Sequence, residues 1–213
     1  LVECDLIAKQ IEAIFDDIRV DAVKIGVVPS EQIIKTVAAT LRKVSNLPPV
    51  VLDPVMSCKN GDIWLEGAAK DAIVSELFPL STVITPNKFE AREIVKREPK
   101  SKDEFKQACK ELLKTGAKSV YLKCGDVGGV SLDLFYDGAE FTEFEQERID
   151  TSSTHGSGCS LSSAIASNLA LGFSLRESAQ RANKYIYKAI KAAFVVGSGC
   201  NPINHFHNVE FGD

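Results

Sequence analysis

Residues 154–164 read Thr154-His-Gly-Ser-Gly-Cys159-Ser-Leu-Ser-Ser-Ala164, a glycine-bearing turn that runs directly into a stretch of small and apolar residues. Glycines at 156 and 158 let backbone approach a ligand closely. The first free N–H groups of a helix, reinforced by its dipole, then favour an anion such as a phosphoryl group in transfer. A G-x-G before a helix also describes a plain cap on a packed helix. Cys159 opens that helix, where the dipole favours thiolate over thiol and suits the residue to act as a base. The competing expectation is a small buried cysteine.

Three further segments could work with such a turn. In Thr85-Pro-Asn87-Lys-Phe-Glu90, Asn87 and Glu90 stand three apart on one face of a helical first turn. An amide oxygen beside a carboxylate suits a hard, partly hydrated magnesium ion, and the same spacing is a full capping box. Val50-Val-Leu-Asp53-Pro ends an apolar strand in an acid, as expected at the carboxyl edge of a parallel sheet where ligands bind; a turn acid capping the next segment is the other reading. Lys123 closes its strand before Cys124-Gly-Asp126, where a lysine can reach nucleotide phosphates or stand solvated.

The elements that must position these residues follow from periodicity. Leu6, Ile7, Ile11, Ile14, Phe15 and Ile18 recur at spacings of three and four, so a helix covers one face of something larger. Short β-rich runs then alternate with helical patterns: strand 21–25 and helix 30–45, strand 49–52 and helix 66–78, strand 82–84 and helix 87–97. This is the pattern of βαβ units and a parallel sheet. After a helix over 102–115, ended by Gly116, a strand at 119–123 leads to a hairpin at 132–136 and 140–147 around Asp137-Gly138. Helices over 156–171 and 175–195 precede a Gly/Pro/Asn-rich tail at 197–204. Trp64 and the phenylalanines fall at core spacing. His205 and His207 read as tail residues with no metal role.

Composition narrows the partners. The 213 residues carry 25 basic and 29 acidic side chains, a formal charge of −4, which offers no footprint for nucleic acid or an anionic membrane and favours small molecules. No apolar run suits a membrane span, the start lacks the pattern of a signal peptide, and six scattered cysteines form no C-x-x-C pair. Reduced thiols in the cytoplasm and a single domain are expected.

The ordered set Lys24-Ile-Gly26, Leu52-Asp-Pro-Val-Met56 with Asn60-Gly-Asp62, Thr85-Pro-Asn-x-x-Glu90-Ala, Lys123, Thr154-His-Gly-Ser-Gly-Cys159 and Asn201-Pro-Ile-Asn-His205 resembles the hydroxymethylpyrimidine/phosphomethylpyrimidine kinases of the ribokinase-like superfamily. The resemblance spans essentially the whole chain. It implies a doubly wound, mostly parallel α/β sheet flanked by helices, and ATP-dependent phosphorylation of 4-amino-5-hydroxymethyl-2-methylpyrimidine and its monophosphate in thiamine biosynthesis. A pyridoxal/pyridoxine kinase of the same superfamily and a catalytically silent pyrimidine-binding module remain as alternatives.

Carried over by position, Cys159 would be the base, also touching substrate, and the N–H groups of Gly156, Ser157 and Gly158 the anion hole. Asn87 and Glu90 would serve magnesium through water, with Asp53 assisting, and Lys123, Asp53 and Thr154 would form the ATP site. Val55 and Val27 would line the substrate pocket. Three departures stand out: Val27 where relatives carry methionine, Ser157 where they carry threonine, and Asp126 where many carry histidine, close to the expected phosphates. The resemblance further implies a homodimer, and an N-terminal strand and glycine-rich substrate loop preceding Leu1, without which the sheet would show an open edge.

Overall fold

The computed structural model describes residues 2–56, 65 and 67–209. Cys58, the Asn60-Gly-Asp62 motif and Trp64 lie outside the described residues. Six strands form one sheet in the order β1 to β6: β1 (Val23–Ile25), β2 (Val50–Leu52), β3 (Val83–Ile84), β4 (Val120–Val127), β5 (Val130–Tyr136) and β6 (Phe141–Glu147). The first four pair in parallel, and β5 and β6 add an antiparallel hairpin.

Parallel strands covered on both faces need apolar residues in both alternating positions, and Val50, Val51, Leu52, Val83 and Ile84 are all fully buried. Each such side chain contributes about 1.5–3 kcal/mol of hydrophobic stabilisation. The helices α1 (Cys4–Asp17), α2 (Glu31–Arg42), α3 (Ala68–Ala72), α4 (Lys88–Val95) and α5 (Lys102–Leu113) serve one side of the sheet, with Ile34, Leu52, Leu77, Phe105, Leu112 and Leu122 in that core. Strands laid down in sequential order with right-handed crossovers must keep their helices on one side. The hairpin breaks that winding. Afterwards α6 (Ser157–Ala170) and α7 (Leu175–Lys191) cover the opposite face over Val51, Val83, Tyr121 and Phe135.

The α/β architecture expected from sequence is therefore present, with differences of detail. The helix expected over 66–78 is a short α3 that widens into a π-type turn at Ile73–Leu77 and tightens into a 3-10 turn at Phe78–Leu80, where Pro79 stops it. Strand β4 does not stop at Lys123 but runs to Val127, with a bulge between Lys123 and Gly125. No residue of α1 is fully buried, so its apolar side is only half covered.

Candidate active site

The carboxyl ends of β2 and β3, the middle of β4 and the N-terminus of α6 meet at one edge of the sheet. Asp53 directly follows β2, Thr85 and Asn87 follow β3, and Lys123 sits opposite Asn87 in an isolated parallel bridge. The Lys123 Nζ donates to Asp53 Oδ1 at 3.0 Å, and the Thr85 hydroxyl donates to the same oxygen at 3.2 Å. Asp53 is 2% exposed, so its charge depends on those donors. Burial pulls the Lys123 ammonium down, but Asp53 and Glu90 outweigh it and hold the group above its ordinary value.

Glu90 is the second buried acid. Its carboxylate accepts from the Asn87 backbone N–H at 2.7 Å, while Asn87 Oδ1 accepts from the N–H groups of Phe89 and Glu90 at 2.8 and 2.9 Å. The capping box is thus fully formed, and the Asn87 side-chain oxygen is engaged in it. Burial pushes Glu90 up to about 7, against the pull of Lys123 and of backbone N–H groups at Asn87 and Met56. Two buried carboxylates share one ammonium, and ionisation of Glu90 leaves a negative charge uncompensated. An oxygen-lined, electron-rich pair of this kind fits a hard divalent cation held through water.

The turn into α6 closes the site from above. Gly156 has φ +82°, a left-handed conformation that costs other residues about 1–2 kcal/mol, and it forms the N-cap of α6. A Cβ on Gly158 would sit 3.3 Å from Lys123 Nζ and 4.0 Å from Asp53 Oδ2, so the first turn of α6 lies directly over that pair. The Ser157 N–H donates to the Thr154 carbonyl at 3.3 Å. Among the described residues the N–H groups of Gly156, Gly158 and Cys159 have no partner and stand open at the dipole's positive end. Cys159 is exposed rather than buried and lines a groove of about 700 Å³ between α6 and α7 together with Ser160, Ser163, Tyr185 and Lys188.

The remaining sequence candidates sit as follows. Val55 is half-buried, three residues past β2, and Val27 is 46% exposed just beyond β1. Thr154 is half-buried in the loop before Gly156. Asp126 lies in the extension of β4, where its carboxylate accepts from the Gly129 N–H at 3.0 Å and pairs with Arg148. These partners, the Gly129 bond first, hold it below the usual aspartate range.

Sequence reading missed a polar cluster beside the site. Asp133 is the cross-strand partner of Lys123 in the β4–β5 register. Its carboxylate accepts from the Tyr121 hydroxyl at 2.9 Å and from the Asn183 amide at 3.3 Å, and Asn183 also donates to the Tyr121 oxygen at 2.8 Å and accepts from Gln146. Burial raises Asp133 to about 6. The available signal was one acid within the otherwise apolar run Leu132-Asp-Leu-Phe-Tyr136.

Comparison with known proteins gives the family and the fold. The chain matches the phosphomethylpyrimidine kinase family over residues 1–204. It is 38% identical over 210 residues to the hydroxymethylpyrimidine/phosphomethylpyrimidine kinase of Rhizobium meliloti, covering 97% of this chain and 78% of that protein. It is 40% identical over 205 residues to the thiamine biosynthesis bifunctional protein ThiED of Geobacter sulfurreducens, covering 96% of this chain but only 42% of that longer protein. Among solved structures, an ADP complex of Bacillus subtilis pyridoxal kinase superposes with a TM-score of 0.88 at 35% identity, over 97% of this chain and 77% of that one. The phosphomethylpyrimidine kinase of Clostridium difficile 630 gives 0.78 at 38% identity, over 89% and 77%. The match over residues 1–204, together with relatives 38–40% identical along nearly all of this chain, puts it in the phosphomethylpyrimidine kinase family.

Proposed function

We propose that the chain transfers the γ-phosphoryl group of ATP to the hydroxymethyl oxygen of 4-amino-5-hydroxymethyl-2-methylpyrimidine, and in a second round to the phosphate of the resulting monophosphate, as a step of thiamine biosynthesis. The observation that carries this is the Lys123–Asp53 pair at 3.0 Å lying under Gly158, where open N–H groups converge. Phosphoryl transfer asks chiefly for positioning and for charge stabilisation around the moving group, and that arrangement supplies both.

In the first round the alcohol oxygen bonds to the γ-phosphorus as the bond to the β,γ-bridging oxygen breaks and ADP departs. Cys159 Sγ, exposed in the first turn of α6, takes the hydroxyl proton. The open N–H groups of Gly156 and Gly158 donate to the charged transferring oxygens, and Lys123, kept cationic by Asp53 and Glu90, orients the polyphosphate. Thr154 borders this ATP site from the loop before Gly156. Asp53 and Glu90, with Asn87 beside them, would hold the magnesium ion that accompanies ATP, and the ion would neutralise β- and γ-phosphate charge when bound. Val55 and Val27 would offer apolar contact to the ring. In the second round the acceptor is already an ionised phosphate oxygen, so no base is required.

Pyridoxal or pyridoxine phosphorylation is a second reading, supported by the 0.88 TM-score to a pyridoxal kinase. Both alcohols offer a hydroxymethyl group on an aromatic nitrogen ring. The deciding experiment supplies ATP and magnesium with each alcohol alone and then in competition, following products by mass. Phosphorylated pyrimidine with a higher kcat/KM supports the main reading, and preference for pyridoxal replaces it. Tight pyrimidine binding without product would leave a silent binding module.

The match over residues 1–204 supports reading the chain as one kinase domain. Cytoplasmic residence is supported by the free thiols of Cys4, Cys109, Cys124, Cys159 and Cys200. Among the described residues no helix is long and apolar enough to cross a membrane. A homodimer using small molecules alone as partners completes the proposal.

A further inference from the structure

Asn201 is 4% exposed, although it closes an exposed loop that contains Gly197 and Gly199. Its side chain satisfies the loop by itself. Oδ1 accepts from the N–H groups of Val196 and Gly197 at 2.7 and 2.8 Å, and Nδ2 donates to the carbonyls of Gly197 and Gly199 at 3.2 and 3.1 Å. All four hydrogen-bonding positions of the amide are filled. The backbone of the same residue faces the other way. Its carbonyl accepts from the His155 N–H at 3.0 Å, and the His155 carbonyl accepts from Ile203 N–H at 3.2 Å, making a parallel bridge between His155 and Pro202.

His155 immediately precedes Gly156, the left-handed residue that turns the chain into α6. Both main-chain groups of His155 are therefore committed to the tail. The tail is in turn fixed to the far helix, since the Asn204 N–H and side-chain amide donate to the carbonyls of Ala189 and Ala192 at the end of α7, at 3.0 and 3.2 Å. The chain from 201 to 204 thus links the C-terminus of α7 to the N-terminus of α6. A loop with two glycines has high conformational freedom, and one buried side chain removes most of it.

We infer that Asn201 is a positioning residue for the phosphate-handling turn: it locks the 196–201 loop so that its carbonyl and Ile203 hold His155, and through His155 the open N–H groups of Gly156 and Gly158 keep their aim. The inference rests on the phosphoryl-transfer reading of that turn. Misaimed N–H groups would be felt where charge develops, so kcat suffers more than KM.

The test compares the intact chain with Asn201→Ala, Asn201→Asp and the same-loop control Ser198→Ala. Hydrogen exchange is read at the amides of His155 and Ser160, which bond to the Asn201 and Gly156 carbonyls. Asn201→Ala should speed both exchanges and lower kcat by about 10-fold or more, with KM for the pyrimidine changed by less than about 2-fold. Asn201→Asp keeps the acceptor half of the clasp and should fall between, and Ser198→Ala should match the parent. Asn201→Asp also serves if the alanine variant does not fold. Unchanged exchange at His155 and Ser160, or faster exchange with unaltered kcat, overturns the inference. If the parent itself turns over neither alcohol, the kinase reading fails, and exchange at His155 and Ser160 still decides whether Asn201 governs this turn: faster exchange at both in Asn201→Ala sustains it, and unchanged exchange at either overturns it.

Discussion

Lys123 and Asp53 stand seventy residues apart in sequence, yet the lysine Nζ, on β4, lies 3.0 Å from the Oδ1 of the acid that follows β2, across the end of the intervening β3. The parallel register brings them together: β2 and β3 end level with Lys123, which lies within the longer β4, so Asp53 just past β2 and Asn87 just past β3 converge with it there. The pair fixes where an ammonium sits, and Gly158 leaves space for it.

Gly158→Ala tests that space. The new Cβ would press on Lys123 Nζ from 3.3 Å, forcing the ammonium aside, while alanine within a helix adds no backbone penalty. Turnover should fall by about 10-fold or more with the melting temperature held or raised, which steady-state kinetics beside calorimetry will check.

Removing the cation should cost stability as well as activity. Lys123→Met strands Asp53 without its charged donor, and the fold should lose about 3 kcal/mol in denaturant titration. Adding Asp53→Leu should recover much of that loss without restoring any turnover. Recovery of activity in the double variant would exclude both residues from catalysis.

Cys159→Ala removes the proposed proton acceptor from an exposed position, so folding should be unaffected. The first phosphorylation should slow by about 10²-fold, whereas transfer to the monophosphate, which has no alcohol proton to lose, should slow far less. Equal loss in both rounds would assign Cys159 to charge stabilisation instead of proton transfer.

Glu90 gives stability a pH dependence of defined sign. It titrates near 7 in the folded chain against an ordinary 4.5, because burial opposes its charge, so between those values the folded state holds the extra proton. Its protonated form is accommodated at low pH, and the contribution is lost as pH rises through about 7. Glu90→Gln should therefore be the more stable protein at pH 8, by up to about 3 kcal/mol, with the difference vanishing below about pH 4.5. Excess magnesium should stabilise the parent above pH 7 and leave the glutamine variant nearly unmoved. Asp133, raised to about 6 by burial, contributes with the same sign to both proteins and cancels in the comparison.

Much of this arrangement was readable in the residues. Period-2 and period-3.6 patterns locate the strands and helices that end at the site, because burial on one or two faces leaves a direct mark on composition. The ordered motifs include Asp53, Lys123 and Gly158, which the structure places side by side. Pairwise choices were less readable. Whether Asn87 caps its helix or offers its oxygen elsewhere depends on a rotamer, and it caps. Asp126 stands as a bare carboxylate near the expected phosphates in sequence, because its partner Arg148 is twenty-two residues away across the hairpin. The Tyr121–Asp133–Asn183 cluster joins β4, β5 and α7, and the Asn201 clasp depends on loop geometry; neither has a local sequence period. Helix α3 is shorter than the expected 66–78 because it widens into a π-type turn at Ile73–Leu77, which a period-3.6 pattern does not encode.

The change of winding after β6 has a consequence for how the enzyme comes into being. Acid, lysine and the capped glutamate are all laid down before the hairpin, whereas the glycine turn that covers them arrives only with the last third of the chain, carried on helices that also shield Val51, Val83, Tyr121 and Phe135. A nascent chain short of that point exposes an oily sheet face and has charged groups gathered under no roof. Competence for phosphate chemistry and burial of that second face are thus achieved in a single docking event, so a half-wound molecule is inert as well as sticky.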